Sequence, residues 1–163
     1  MNTNQVTSRA ELEAVISVDL RELMSESDQI GRLFAMTHDV RPTDFRALLH
    51  IMVAEDAGQP MTSGDLSHRM GLSGAAITYL VDRLIESGHL RRDAHPADRR
   101  KVILRYSESG MNTARSFFVP LAAHAQSAFE DLTDADLAAA HRVFVAFSAA
   151  MQRFQDELRS AKP

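Results

Sequence analysis

A change of hydrophobic period within residues 62–106 constrains the fold more than any other feature of the chain. Leu66 and Met70 are four residues apart and therefore share one face of a short helix. Gly71 can end that helix, because glycine enters the left-handed region without a Cβ penalty. A second helical pattern follows, with apolar residues at steps of three and four: Ile77, Leu80, Val81 and Leu84. From Leu90 the period falls to two, so the stretch predicts two short helices and then a β-hairpin.

The predicted hairpin carries a basic loop. Its second strand follows from the alternation of two sets of residues, Val102, Leu104 and Tyr106 against Lys101, Ile103 and Arg105. We expect the strands to be joined by a loop over residues 93–100, which contains Pro96 and the adjacent Arg99 and Arg100. A basic hairpin that follows two short helices is typical of the wing in a winged helix-turn-helix.

Each of the two short helices has a serine near its start. Ser63 is expected to cap the first helix and Ser73 the second, because a serine hydroxyl accepts a hydrogen bond from an otherwise unpaired amide. The face of the second helix opposite its apolar stripe is small and polar near the start, with Ala75, Ala76, Thr78, Tyr79, Asp82 and Arg83. A helix that enters the major groove of DNA needs a face of this kind.

Positive charge is concentrated between residues 83 and 105. This segment has seven cations and three anions, a net charge of +4, whereas the whole chain has a net charge of −4. A local excess of this size favours a polyanionic partner such as DNA. The alternative interpretation is that the charges only protect a solvated strand edge.

Composition excludes several other classes of protein. With 163 residues the chain has the length of one domain, and with no cysteine it has no disulfide and no thiolate metal site. Its seven histidines are scattered without metal-ligand spacing, so neither a metal site nor an enzyme is predicted, and no cofactor is expected. No run is long enough to span a membrane and the N-terminus lacks the pattern of a secretory signal, so we expect a cytoplasmic protein.

Long apolar helices are predicted on both sides of the central stretch. The first covers residues 11–36, and a break at Arg41-Pro42 separates it from a helix over residues 44–55. Ser107 is expected to cap the next long helix, and Thr133-Asp134-Ala135-Asp136 resembles the capping box of the last one. The predicted organisation is an N-terminal dimerisation helix in 1–40, a winged helix-turn-helix in 41–110, and C-terminal dimerisation helices in 111–163.

The terminal helices carry more apolar surface than the central stretch needs. Surplus apolar stripes at both ends of a chain are best covered by a second copy, which most often gives a two-fold homodimer. The alternative is a helical subdomain that packs within one monomer. A dimer would present two recognition helices about one duplex turn apart, and it should therefore bind an inverted repeat with half-sites separated by roughly 10 bp.

The chain resembles the multiple-antibiotic-resistance regulator (MarR) family. The resemblance is carried by residues of the second helix and the hairpin: Leu72-Ser73, Thr78, Val81-Asp82-Arg83-Leu84, Ser87-Gly88-His89-Leu90 and the run from His95 to Leu104. It extends more weakly to Arg41-Pro42-Thr43-Asp44-Phe45 and to Ser107-Glu108-Ser109-Gly110. The family usually has a threonine before Pro42, where this chain has Arg41, which either reaches a phosphate or only ends the first helix.

This resemblance implies a dimeric, sequence-specific transcriptional regulator that binds a palindromic operator. Recognition helix 73–87 would lie in the major groove and wing 91–101 in the minor groove, where the family's Asp-x-Arg motif places Arg100, oriented by Asp98 and adjacent to Arg99. Base contacts are expected from Ala75, Ala76, Thr78 and Tyr79, and phosphate contacts from Ser63, Ser73 and Arg83. The family also implies repression that is released by a small aromatic or anionic effector, bound where the dimerisation helices meet the DNA-binding lobe. The alternative is a winged-helix module that binds proteins and not DNA.

Overall fold

The computed structural model describes residues 8–161, with the backbone alone at Arg99. Within that range the chain forms six helices and a two-stranded antiparallel hairpin. In chain order the elements are α1 (Arg9–Thr37), α2 (Pro42–Asp56), α3 (Ser63–Met70), α4 (Gly74–Glu86), β1 (Leu90–His95), β2 (Asp98–Tyr106), α5 (Glu108–Ala128) and α6 (Asp134–Ser160). The prediction of a mainly helical chain with a small β-hairpin is confirmed.

Local sequence accounts for the ends of the first two helices. Ser8 and Glu11 form a capping box that begins α1 two residues earlier than the apolar pattern indicated. Asp39 has a φ of 52° and reverses the chain between α1 and α2. Pro42 occupies the first turn of α2, where its missing N–H costs nothing, and Arg41 precedes it without a side-chain capping bond.

The turn between α3 and α4 forms as predicted, but the cap of α3 is different. Thr62, and not Ser63, caps α3: its hydroxyl accepts a bond from the Asp65 amide while the Asp65 carboxylate accepts one from the Thr62 amide. The prediction for Ser63 was wrong because it already lies inside the first turn. Gly71 ends α3 with a φ of 66°, and Ser73 caps α4 by accepting a bond from the Ala76 amide.

The hairpin is longer and its loop is shorter than the sequence suggested. Strand β1 reaches His95 and β2 begins at Asp98, so a two-residue turn at Pro96–Ala97 replaces the expected loop over residues 93–100. The strands pair from Leu90 opposite Tyr106, at the open end of the hairpin, to His95 opposite Asp98 at the turn, with an irregularity after Ala94. The strands can continue up to the turn because a proline within the turn does not need to donate a ladder bond.

The core of the first half of the molecule lies between α2, α3, α4 and the hairpin. Its largest fully buried side chains are Ile51, Leu66, Ile77, Val81, Leu84, Ile103 and Leu104. Each contributes about 1.5–3 kcal/mol by leaving water. An additional bridge between Thr62 and Ile103, with the Leu104 amide bonded to the Met61 carbonyl, fixes the start of α3 against β2.

The start of α5 is held tightly against the end of α4. Ser107 accepts a bond from the Gly110 amide, as predicted for a cap, and its hydroxyl donates to the Gly88 carbonyl. A Cβ at Gly110 would lie 2.1 Å from the His89 carbonyl oxygen, so only glycine fits there.

The chain divides into two compact units, Met1–Phe117 and Phe118–Pro163. The second contains the end of α5 and all of α6, which begins with the predicted capping box between Thr133 and Asp136. None of the residues of α6 is buried within a single chain, and Phe144, Phe154 and Leu158 are all largely exposed. No helix in residues 8–161 combines the length and the apolar character needed to cross a membrane.

Candidate nucleic-acid interface

One face of α4 is exposed along its first half. Ala75, Ala76, Thr78 and Tyr79 all lie on it, and Tyr79 is 65% exposed. The Thr78 hydroxyl donates to the Gly74 carbonyl at 2.9 Å, so its oxygen remains free to accept a bond from a partner. The Ser73 hydroxyl accepts from the Ala76 amide at 3.3 Å, and its own proton remains available to an acceptor such as a phosphate oxygen.

The Arg83 side chain at the end of this face is bound to a buried carboxylate. Its Nε and Nη2 both donate to Asp44, which is only 2% exposed and lies on α2. This hydrogen bonding raises the pKa of Arg83. The guanidinium also lies 5.0 Å from the centre of the Tyr79 ring. The pair joins α2 to α4, and the predicted phosphate contact of Arg83 stays a prediction.

Three further arginines of the basic segment also form ion pairs within the lobe. Arg92 on β1 bonds Asp82 on α4 at 2.7 Å, and Arg105 on β2 bonds Glu55 on α2 at 2.9 Å. Arg91 pairs with its neighbour Asp93 on the same strand. The contacts of Arg92 and Arg105 join the hairpin to α4 and α2. Together with Arg83, four of the seven cations are therefore paired with carboxylates.

The cations at the wing tip have a different environment. The side chains of Arg100 and Lys101 are exposed, and neither has a carboxylate within ion-pair distance among residues 8–161. Asp98 does not bind the Arg100 guanidinium. Its Oδ1 accepts a bond from the Arg100 backbone amide at 3.1 Å. Any orienting effect of Asp98 on Arg100 therefore acts through the main chain.

The predicted contact residues fall into two groups in this lobe. Ser73 and the exposed positions that follow it are brought together on the first half of α4, whereas Asp98, Arg99 and Arg100 lie together at the start of β2. Ser63 is half-buried in the first turn of α3, beside the bridge that joins Thr62 to β2.

Three residues that shape the site, Thr62, Asp65 and Asp44, were missed in the sequence. The Thr62-x-x-Asp65 spacing is a readable capping signal, since aspartate replaces glutamate in the same way at Thr133-x-x-Asp136. Hydrogen bonds from Thr62 lower the pKa of Asp65 and keep this carboxylate charged. Asp44 gave no local signal, because its partner Arg83 lies 39 residues further along the chain.

The described residues include no group of three or more histidine and acidic side chains that could hold a metal ion. Histidines in this lobe instead contact their neighbours: the His38 ring stacks on Phe34 with centroids 4.4 Å apart, and His89 Nδ1 lies 2.9 Å from the Ser87 hydroxyl.

Two helices joined by a glycine turn, with a hairpin paired to the start of the first, define a winged helix-turn-helix protein. The sequence model of the MarR family matches residues 38–101, which cover α2 to the start of β2. The HTH-type transcriptional regulator YcgE of Bacillus subtilis is 28% identical over 155 residues, covering 95% of this chain and 96% of that relative.

Solved structures share the fold. A MarR family protein from Bacillus stearothermophilus has a TM-score of 0.56 at 21% identity, covering 94% of this chain and 99% of the other. A mutant of MepR from a multidrug resistant S. aureus clinical isolate has a TM-score of 0.67 at 13% identity, covering 83% and 96%. The region from α2 to the start of β2 matches the MarR family, and these similarities support a DNA-binding transcription regulator.

Proposed function

We propose that the protein binds an inverted-repeat operator as a homodimer, with α4 in the major groove and the hairpin tip in the minor groove of each half-site. The observation that carries this proposal is the division of the cations. Four arginines of the basic segment are bound to carboxylates inside the lobe, whereas Arg100 and Lys101 are exposed near the start of β2.

The proposed major-groove contacts come from the exposed half of α4. Ala75 and Ala76 let the helix approach the bases closely and can touch a thymine methyl group, while Thr78 and Tyr79 supply hydroxyl groups. This half has no arginine, asparagine or glutamine. Direct reading of bases is therefore modest, and groove shape supplies a substantial share of the specificity.

The proposed minor-groove contact is made by Arg100, with Arg99 beside it. The narrow minor groove of an A-tract has an enhanced negative potential that attracts arginine. Asp98 supports this role because its Oδ1 accepts a bond from the Arg100 backbone amide at the start of β2. Ser63, Ser73 and Arg83 are proposed to contact phosphates, and Arg83 would do so while bound to Asp44.

The proposed dimer uses the terminal helices. Apolar side chains are exposed on all three in a single chain, including Leu12 and Leu23 on α1, Val119 on α5, and Phe144 and Phe154 on α6. Regulators of this family bind DNA and act as dimers. We accordingly assign residues 1–40 and 111–163 to dimerisation and residues 41–110 to DNA binding.

Regulation is proposed to be repression that a small aromatic or anionic effector releases. The effector would bind where the terminal helices meet the DNA-binding lobe and favour one spacing of the two lobes. It can shift that equilibrium only by its differential affinity for the two states.

Selection of bound sequences from a random duplex pool tests the operator proposal. We expect an inverted repeat with half-sites separated by roughly 10 bp and an A/T-rich segment where the wing tips lie. A motif without two-fold symmetry would contradict the dimeric arrangement. A symmetric motif without any A/T preference would contradict the minor-groove role of Arg100 while leaving the role of α4 intact.

A further inference from the structure

Tyr79 is a large exposed side chain on α4 whose ring has a fixed neighbour. It is 65% exposed, and an aromatic side chain with that exposure on a helix ordinarily populates more than one χ1 rotamer. Here the guanidinium carbon of Arg83 lies 5.0 Å from the centre of the ring. Residues four apart share a helix face and side chains lean toward the helix N-terminus, so Arg83 reaches back over Tyr79. The ring therefore has a cation against one of its faces.

The Arg83 guanidinium is itself held by α2. Its Nε donates to Asp44 Oδ2 at 2.8 Å, and its Nη2 donates to Asp44 Oδ1. Two parallel bonds to one carboxylate fix the plane of a guanidinium as well as its position. Asp44 lies in the first turn of α2, where the helix dipole stabilises a negative charge. Both the carboxylate and the guanidinium plane are thus set by the fold before any partner binds.

Asp44 and Tyr79 act on the same cation. Hydrogen bonding to Asp44 is the largest cause that raises the pKa of Arg83, and Tyr79 contributes in the same direction. The face of an aromatic ring carries the negative part of its quadrupole, so it attracts a guanidinium. At an exposed site, a contact of this kind changes the ratio of two conformers by about two- to fivefold.

The three side chains lead from the interior of the lobe to its surface. Asp44 is buried, Arg83 is half-buried and Tyr79 is exposed. A buried carboxylate on α2 cannot touch a duplex that lies against the exposed half of α4. Any influence of Asp44 on the reading of bases therefore passes through the guanidinium to the ring.

We propose that Asp44 and Arg83 are positioning residues for Tyr79: the buried carboxylate fixes the guanidinium plane, and this plane holds the exposed ring in one orientation for the major groove. The inference rests on the proposed contact of Tyr79 with bases. A side chain that is already ordered loses less conformational freedom on binding. The ring also cannot turn to accommodate a wrong base, so the sequence preference of Tyr79 depends on a residue that does not touch DNA.

Arg83→Lys separates this role from a general role in stability. Lysine keeps a positive charge beside Asp44, but its ammonium has no planar fork that can bind the carboxylate with two parallel bonds and stack on the ring. Asp44→Asn tests the carboxylate directly, and Arg83→Lys decides alone if that variant does not fold. Arg92→Lys is the matched control, because Arg92 also pairs with a carboxylate of α4.

Nuclear magnetic resonance of the full chain with ring-labelled tyrosine tests the positioning without DNA. The chain has two tyrosines, and Tyr106 is the internal reference for the fold, since its hydroxyl donates to a main-chain carbonyl of α2 at 2.9 Å. In Arg83→Lys and Asp44→Asn we expect the Tyr79 signals to move toward those of tyrosine in a short peptide, while the Tyr106 signals stay in place. Unchanged Tyr79 signals in Arg83→Lys, or equal movement in Arg92→Lys, would overturn the proposal.

Gel shifts then separate positioning from a phosphate contact. The ratio of the Kd for a duplex with one changed base pair in each half-site to the Kd for the selected operator measures discrimination. Loss of a phosphate contact weakens both duplexes equally and leaves this ratio unchanged. Arg83→Lys should reduce the ratio by about four- to twenty-fivefold, because each of two subunits contributes a factor of about two to five.

The same change should have no further effect on discrimination in a chain that already carries Tyr79→Ala. Equal losses of affinity for both duplexes after Arg83→Lys would overturn the proposal, because a general structural role predicts them. If Tyr79→Ala itself leaves every ratio unchanged, the proposed base contact fails. The resonance experiment still decides in that case whether Asp44 and Arg83 hold the ring, so the two failures are distinguishable.

Discussion

Arg83 and Arg100 lie in the same basic segment but in opposite environments. Arg83 is half-buried, and its Nε and Nη2 both donate to Asp44, whereas Arg100 is exposed near the start of β2, and only its backbone amide is bonded to a carboxylate. The first stabilises the lobe and the second is available to a partner. Net charge along a sequence therefore overstates the number of groups that can bind DNA, because part of it is neutralised inside the fold.

Removal of the buried partner should have the largest effect. Asp44→Ala leaves Arg83 without its carboxylate in a half-buried position, and we expect the free energy of unfolding to fall by about 3–5 kcal/mol. Urea unfolding, monitored by circular dichroism, measures this free energy. Asp56→Ala, at the exposed end of the same helix, is the control and should be nearly neutral. Equal effects of the two changes would mean that the Arg83–Asp44 pair does not stabilise the lobe.

Removal of the exposed arginine should affect binding and leave the fold unchanged. Arg100→Ala should weaken operator binding by about tenfold or more and reduce the slope of log K against log salt by about one, with an unaltered unfolding midpoint. Gel shifts at several salt concentrations report both quantities. Wild-type affinity in this variant would remove Arg100 from the interface.

Stability should also depend on two histidines that the fold holds in the neutral form. Burial is the main cause that lowers the pKa of His50 and His89 from 6.5. The unfolded chain therefore binds more protons, so this contribution is fully present above about pH 6.5 and is lost as the pH falls below it. Urea midpoints should decrease between about pH 7 and 5.5. The decrease should be smaller in His50→Gln than in a variant of the exposed His141.

The smallest effect is expected from an exposed pair in the same hairpin as Arg100. Arg92→Ala removes the bond to Asp82, whose partners are both more than 40% exposed, and should cost only about 0–1 kcal/mol of stability. Measured beside Arg100→Ala, this variant also shows whether loss of any hairpin arginine weakens DNA binding. A loss of affinity equal to that of Arg100→Ala would indicate a general charge effect and not a specific contact of Arg100.

Local patterns predicted the elements well, because caps, turns and stripes depend on residues only a few positions apart. Gly71, Ser73 and Thr133 took their predicted roles for this reason. Ion pairing depends on the tertiary fold instead. Arg83 and Asp44 are 39 residues apart and Arg105 and Glu55 are 50 apart, so no spacing rule separates these arginines from Arg100 in advance.

Asp98 binds the main chain of Arg100 and not its side chain, so the residue type at position 100 can be changed without losing this bond. The carboxylate accepts a bond from a backbone N–H, which every residue except proline has. A different side chain at position 100 would therefore leave the backbone position unchanged. We expect lysine, glutamine or histidine at position 100 to keep this backbone bond. The side-chain chemistry at position 100 can thus change independently of the hairpin backbone that positions it.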